Sequence, residues 1–496
     1  MHGIIQSKRA VYWVAGLISL FISLWIFKQT ELINPDGICY VESAANMPKG
    51  LHYAMHLCGQ AGWPFYSILI YGMHLLTHFT MENSAYLLDA LLSLLSVLTF
   101  IRIVEVLALQ KQNHFILWLA AFVILFSNIF NDVRHYIIRD HGYFAFYLLA
   151  ILFLLNFFQI RKWFYALGWS VASIIATFFR IEGAIFLALI PLITFLDWRT
   201  SFVIRIQSFF KLNLLSIIGV CFVAVLLWFH PEESLGRFRE INLQQASMFL
   251  TVLQTKSELL KTYILNKHAM IDPKIILFFT LLVWYLYSAI SNVSWIYMIL
   301  VVYAWSKKLL KMPPIMNMVI WSYLIINVAL TFLFLSTNMF ISKRYLVGQS
   351  LVLMLWVPFA LQALFLQWRT RKLCVMLVLI LLVISAASGL IEFGYSKRYI
   401  RDAGEWLQQH VSSDTKVYSN DYLVKYYSKH FDQELFLETM PNTQVNFTKY
   451  DYVAIRQNKK NKPLQPLNPA QFKSVQVFQN SRGDQVVIYR RSSSTI

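Results

Sequence analysis

Apolar runs of about twenty residues, the length that crosses a bilayer as a helix, recur from Ala10 to Phe393. A single water-soluble core has no room to bury so many of them. Of the 496 residues, 58% are hydrophobic and only 14% charged, whereas soluble domains carry about a quarter charged residues. The chain reads as a polytopic membrane protein.

The runs fall near 10–28, 84–108, 114–131, 142–160, 163–179, 183–197, 212–229, 315–336, 345–366 and 373–393, with 275–305 as one tilted span or a span broken near Ser291. The start, "MHGIIQSKRAVYWVAGLISLFISLWIF", is basic then apolar and ends in no small-x-small cleavage site, so it reads as an uncleaved first span. The stretch 62–79, "GWPFYSILIYGMHLLTHF", is apolar but contains Pro64, His74 and His78. If it lies in the interface without crossing, then Lys8/Arg9, Arg102/Lys111, Arg161/Lys162, Arg199/Arg205/Lys211, Lys307/Lys308/Lys311 and Arg369/Arg371/Lys372 all fall on one side. That side is cytoplasmic by the positive-inside rule. A crossing there would put every later basic cluster outside. The count is therefore about eleven spans, with twelve as the alternative. The amino terminus is expected inside and the carboxyl terminus outside. The net charge of +18 is then accounted for by cytoplasmic loops and calls for no nucleic acid.

Four outward segments follow: 29–61, 131–143, 230–272 and 338–345. Beyond 393 the pattern changes. "YIRDAGEWLQQH" and "YLVKYYSKH" read as helices, "TKVYSND" and "YDYVAIRQ" as strands, and "SVQVFQ" with "QVVIYRR" as a hairpin through "NSRGD". The expected fold class is an all-α polytopic membrane domain, residues 1–395 with outer loops 29–83 and 230–272, followed by a small extracytoplasmic α/β domain, 396–496. Cys39 and Cys58 share one outer loop and either pair or stay as thiols, while Cys221 and Cys374 read as packing residues. His74 and His78, four apart, lack the glutamate of a zinc-hydrolase motif and read as interfacial.

The polar residues of the outer layer need reasons. Arg134, Arg139, Arg180, Lys343 and Arg344 break the charge rule, and as a set they suit a phosphate or diphosphate. Asp36, Glu42, Asp132, Asp140 and Glu182 share the layer. Arg180–Glu182 and Arg139–Asp140 are candidate ion pairs between span ends. Asp36, in "INPDGICY", is either the cap of a following helix or a carboxylate that takes a proton from a nucleophile.

In order, "DGICYVESA", "GWPFYSILIYGMHLL", "NDVRHYIIRDHGYFAFYLLA", "FRIEGAIFLALIP", "SKRY" and "AGEWLQQHV" through "KVYSNDYLVKYYS" resemble the GT-C fold glycosyltransferases. Within them the chain is similar to the bacterial relatives of protein O-mannosyltransferases and of lipid A aminoarabinose transferase. The resemblance implies a catalytic acid in the first outer loop, which falls on Asp36, and interfacial helices after it. It implies a basic side chain facing the lipid phosphate in "KRY", which falls on Arg344 with Tyr345 and neighbouring Lys343. The family's Arg/Tyr-then-Asp segment matches "RHYIIRD" ending at Asp140. Its spacing is one residue longer here, so Arg134 and Arg139 compete for one role. Tyr40, Glu42, Arg180 and Glu182 are supporting candidates. Gly37 stands where many relatives have a second acid, and a second proline beside Pro64 is missing.

The expectation is sugar transfer from a polyprenyl-phosphate or diphosphate donor to a glycan, lipid or protein acceptor at the outer membrane face. Asp36 would be the general base of an inverting attack. Membrane lipids are expected as further partners of the protein, and nucleic acid is not. No cofactor is assigned, no metal ligand set is named, and a divalent metal stays open. The 230–272 loop is either a flap or a passive surface helix. The rival is a transporter or flippase, which calls for ionisable residues deep in the spans and an internal repeat.

Overall fold

The computed structural model describes residues 7–108, 114–229, 244–266, 271–311, 313–368, 370, 372–430, 446–459 and 467–492. Of the segment expected as a flap or surface helix, 230–272, residues 230–243 and 267–270 and the side chains of 244–250 lie outside the described residues, as does the Cys221 side chain.

Seven described helices are long and apolar enough to cross a bilayer, or eight if the bent pair Lys343–Met354 and Val357–Leu366 counts as one span. The full-length ones are Lys8–Gln29, Met81–Leu107, Asp140–Ile160, the helix from Phe202, Pro273–Val293, Pro314–Asn338 and Lys372–Leu390. The other expected spans are present as shorter or broken helices. His114–Leu125 is followed by Asn128–Val133, Trp163–Phe179 is a single helix, and Gly183–Leu189 runs into a 3-10 turn, Ile190–Leu196. The 275–305 stretch breaks at Ser294, whose φ of 79° no helix accepts, and resumes at Trp295–Ser306. The chain is a multi-pass membrane protein.

Two contacts within the membrane unit fix how the ends of the spans pair. Lys8 at the start of the first helix and Arg102 at the end of the Met81–Leu107 helix both meet Glu105, which also accepts from Tyr12 Oη at 2.6 Å. Those helices are therefore antiparallel, and the residues between them begin and end at one membrane face. The Phe65–Thr77 helix has 13 residues, rising about 20 Å against a hydrocarbon core of about 30 Å. One helix crossing alone would leave the ends on opposite faces, so it does not cross. Likewise Trp25 Nε1 donates to Leu390 O at 3.1 Å. The first and last spans thus end at the same face, and the first loop and the carboxyl-terminal segment leave from it.

The chain divides into two compact units, Met1–Ile26 with Ala85–Ile391, and Phe27–Ser84 with Glu392–Ile496. The second differs from the sequence-based boundary at 395/396, because it joins the first loop to the carboxyl-terminal segment. Ile33 N donates to Tyr427 Oη at 2.9 Å, Glu42 faces Lys429 at 3.6 Å, and Glu31 accepts from Lys397 N at 2.6 Å. Sequence periodicity cannot show such pairings across about 400 residues.

In the second unit, β1 (Val417–Ser419), β2 (Tyr452–Gln457), β3 (Phe472–Gln479) and β4 (Gln485–Arg491) form one sheet in the order β1-β2-β4-β3. β1 and β2 are parallel, and β4 runs antiparallel to both β2 and β3. The Arg398–His410 helix buries Tyr399, Ile400, Ala403, Gly404 and Leu407, one stripe at helical spacing. Asp421 caps the Tyr422–Ser428 helix and also binds Arg456 at 2.6 Å. Cys39 and Cys58 form a disulfide. Cys374, expected in packing, is exposed at the start of its helix.

Candidate active site

In the membrane unit, the site begins where one helix starts and another stops. Asp140 opens the Asp140–Ile160 helix, with Arg139 at its N-cap position, and Arg180 closes Trp163–Phe179. Gly142 permits their approach. A Cβ there would stand 2.2 Å from the ring of Phe179, a fully buried side chain directly before Arg180. Gly183 does the same for the following turn, since its Cβ would meet the backbone of Thr177 at 2.7 Å.

The Arg180 guanidinium binds Asp140 and chelates Glu182, the latter at 2.5 and 3.3 Å. Arg180 and Asp140 side chains are 9% and 5% exposed, so this pair is inside the protein while Glu182, at 37%, reaches its edge. The expected Arg180–Glu182 pair is present. The expected Arg139–Asp140 pair is not what forms, because Asp140 is taken by Arg180. Against burial, Arg180 holds the Glu182 pKa low, and half-buried Arg139 adds a smaller electrostatic pull in the same direction.

Tyr345 brings in the late motif. Arg180 lies 4.8 Å from its ring centre and 5.6 Å from that of Tyr143, and Arg344 packs on the same Tyr345 ring at 5.4 Å. Three segments far apart in sequence, ending in Asp140, Arg180–Glu182 and Arg344–Tyr345, thus form one cluster. Lys343 is exposed beside it in sequence. Beneath lies an aromatic floor in which Tyr143 stacks on Tyr147, and Tyr147 and Phe186 both pack on Tyr323. Asn327 donates to Tyr147 Oη at 2.5 Å and to Tyr323 O at 2.8 Å.

Arg134 is placed elsewhere. It is 5% exposed, donates to Ser19 O at 2.9 Å, Ser23 Oγ at 2.5 Å and Ser19 Oγ at 3.1 Å, and covers Phe130. It holds the first helix, which leaves Arg139 as the arginine of "RHYIIRD" that reaches the cluster. Asp89 is a residue that sequence reasoning passed over when it placed the charges at span ends. It is buried in the Met81–Leu107 helix, one turn before Ser93, whose Oγ lies 3.2 Å from His141 Nδ1. The signal was there to use: a carboxylate five residues after the start of the 84–108 apolar run.

In the second unit, Asp36 is not the helix cap. Asn34 holds that position for Pro35–Ala45, with Pro35 first in the helix, and Asp36 lies in the first turn, where the helix dipole favours an anion. It is half-buried and near enough to Tyr422 to push that phenol's pKa up, after burial and Asp421. Tyr40 is buried, edge-on to Tyr66 at 5.0 Å. Burial raises the Glu42 pKa, opposed by Lys429 and Lys49. Among the described residues no three His, Cys, Asp or Glu side chains converge as a metal group would need.

A bundle of membrane helices carrying a buried arginine between two carboxylates, with a separate α/β unit, defines the class: a multi-pass membrane protein with a polar cluster at its helix ends. No family model matches the chain, and no curated protein does. Solved structures do. It is similar to the Archaeoglobus fulgidus oligosaccharyltransferase (TM-score 0.49, 13% identity, 96% of this chain and 72% of that one). It is similar to the arabinofuranosyltransferase AftD from Mycobacteria (0.47, 14%, 99% and 40%) and to ArnT from Cupriavidus metallidurans bound to undecaprenyl phosphate (0.42, 12%, 97% and 98%). These are likenesses of chain path, and they carry no residue role or substrate over to this chain.

Proposed function

We propose that this protein is an integral-membrane glycosyltransferase that moves a sugar from a polyprenyl-phosphate-linked donor to a glycan, lipid or protein acceptor. The reaction takes place at the extracytoplasmic face of a bacterial inner membrane, with the amino terminus in the cytoplasm. Loop charges support that orientation. The observation that carries the reading is the union of Asp140, Arg180–Glu182 and Arg344–Tyr345, three motif segments up to about 200 residues apart, in one half-buried cluster.

Asp36 is the general base. Its carboxylate takes the proton of the acceptor hydroxyl as that oxygen attacks the anomeric carbon from the face opposite the lipid. The bond from the anomeric carbon to the phosphate oxygen breaks, and the electron pair leaves on the lipid phosphate, so configuration inverts. Fixed cations lower the cost of that charge. Arg180 is neutralised by two carboxylates and acts as a positioning residue, so Arg139 and Arg344, with Lys343, receive the phosphate. These side chains carry the step as written; a divalent cation, if bound, would supply further positive charge to the leaving phosphate, and transfer measured with and without EDTA tests for it.

The carrier reading draws on Asp89, an acid within a span. One experiment separates the two. Purified protein is given labelled polyprenyl-phosphate sugars and a panel of acceptors, as wild type, Asp36→Asn and Arg344→Ala. Transfer that falls at least 100-fold in Asp36→Asn, with lipid-phosphate binding intact, supports the assignment. Normal transfer by folded Asp36→Asn removes the base. Binding without turnover on every acceptor, together with lipid movement in vesicles, favours the carrier.

A further inference from the structure

The helices that carry Asp140 and Arg180 at one end hold a second polar group at the other, across the membrane from the first. The Asp140–Ile160 helix ends at Arg161, which takes a left-handed φ of 54°, and Trp163 opens the next helix two residues on. Arg161 reaches out of that turn and donates to Asp197 and, at 2.9 Å, to Ser208 Oγ. Asp197 and Ser208 are both buried, so this side chain pins the turn after Leu196 and the helix from Phe202 to the turn before Trp163. About two turns deeper, Ser170 Oγ donates to Leu212 O at 2.7 Å and fixes the same two helices side by side.

Two cations flank this clamp, each seated on a tryptophan. Arg205, three residues before Ser208, lies 4.8 Å from the centre of the Trp198 ring; Lys211, three residues after it, has its Nζ 5.4 Å from that of Trp163. Arg205 donates through Nε to Thr200 O at 2.9 Å and through Nη1 to Phe195 O at 3.4 Å, which leaves Nη2 without a partner among the described residues. Exposed Lys162 and Arg199 stand next to the two tryptophans in sequence. The one acid of the group, Asp197, is taken by Arg161. The neighbouring segments Gly183–Leu189, Ile190–Leu196 and Pro314–Asn338 contain no acid. Lys162, Arg199, Arg205 and Lys211 therefore meet no carboxylate among the described residues, whereas Lys8 and Arg102, at other span ends, share Glu105.

The missing counter-charge must be an anion rich in acceptor oxygens, which guanidinium and ammonium groups bind best as phosphate. It must also bring an apolar part. Trp198 and Phe164, 78% and 68% exposed, stand beside the cations, and both helices continue from there with outward apolar stripes at helical spacing, Leu167–Val171–Phe178 and Phe210–Leu214–Ile218. A free phosphate or a soluble nucleotide covers neither stripe, whereas a phospholipid matches both halves of the surface. Tryptophan rings sit at head-group depth in membrane proteins, and basic pockets between helices hold anionic head groups.

We propose that the Arg161–Asp197–Ser208 clamp organises a binding site for an anionic phospholipid, whose head group lies between Arg205 and Lys211 and whose acyl chains run along the two helices. The proposal rests on this end of the membrane unit alone and holds whichever reaction the Asp140–Arg180 end supports.

The test is native mass spectrometry of the full chain, purified in detergent and mixed with phosphatidylglycerol and phosphatidylcholine of equal acyl composition, so that any preference reads the head-group charge. Wild type should retain phosphatidylglycerol at least tenfold better, and millimolar inorganic phosphate should not displace it. One basic side chain near an anionic surface is worth a factor of about five. Lys162→Gln combined with Lys211→Gln should therefore reduce the preference at least tenfold at an unchanged melting temperature, while Lys211→Arg should keep it. Lys307→Gln with Lys308→Gln removes as much charge from another loop and should retain the lipid as wild type does. Equal retention of the two lipids by wild type, a comparison that needs no variant, would overturn the proposal. So would displacement by inorganic phosphate, which marks a free-anion site, an equal loss in the Lys307/Lys308 variant, which marks diffuse charge, or an undiminished preference in the Lys162/Lys211 variant.

Discussion

Arg180 pairs with Asp140, forty residues earlier in the chain, and takes Glu182, two residues later, on its other side. Removing this guanidinium leaves two carboxylates without a counter-charge, one of them inside the protein. Breaking a buried pair from one side costs about 3–5 kcal/mol. Arg180→Ala should therefore lower the melting temperature of the purified protein sharply, and Arg180→Lys should not restore it, since an ammonium cannot chelate Glu182 while holding Asp140. A melting curve equal to wild type for Arg180→Ala would show that the cluster contributes nothing to the fold.

Gly142 and Phe179 occupy one another's space. Gly142→Ala should destabilise by about 1–3 kcal/mol, the usual cost of overpacking, and Phe179→Leu added to it should recover part of that loss. Thermal shift on the two single variants and the double variant reads the coupling. Simple additivity would mean that the helices part easily at this point.

The disulfide between Cys39 and Cys58 closes a loop with a sequence separation of 19. Chain-entropy arguments put its worth at about 3 kcal/mol. Cys58→Ser, or mild reductant, should make the 29–83 region cleavable by protease well below the melting temperature of the membrane helices. A digestion pattern that is indifferent to reductant would contradict this.

Glu42 is held above the usual carboxyl pKa by burial, against the pull of Lys429 and Lys49. The fold then binds this proton more tightly than the unfolded chain does. Its contribution is fully present below the ordinary glutamate pKa and is lost as pH rises through the raised value. Glu42→Gln should gain stability relative to wild type as pH goes from 4 to 7, seen as converging or crossing melting temperatures. A difference that does not change with pH would show that Glu42 does not titrate in this window.

Lys8 and Arg102 meet at Glu105, and Trp25 meets Leu390. Reporters placed after Thr80 and after Glu392 should accordingly read the same side of the membrane. Opposite readings would require that the Phe65–Thr77 helix cross, and would reverse the loop assignment.

Hydrophobic run length and loop charge are local quantities, so the sequence determined the membrane class and the approximate placement of the spans. Alternating and amphipathic periods likewise marked the strands and helices past Glu392, including the hairpin through Arg482–Gly483. Pairings depend on which helix ends meet, and that is a property of packing. Nothing within "RHYIIRD" says that Arg134 turns to Ser19 and Ser23 while Arg139 reaches the cluster. Nothing beside Asp140 says that its partner is Arg180; those helix ends meet through packing, in which Gly142 seats against Phe179. Asn34, not Asp36, occupies the cap position, because Pro35 fixes where the helix begins. The sequence thus marked the acids and bases at the span ends as a set, and close packing decided which of them neutralise each other.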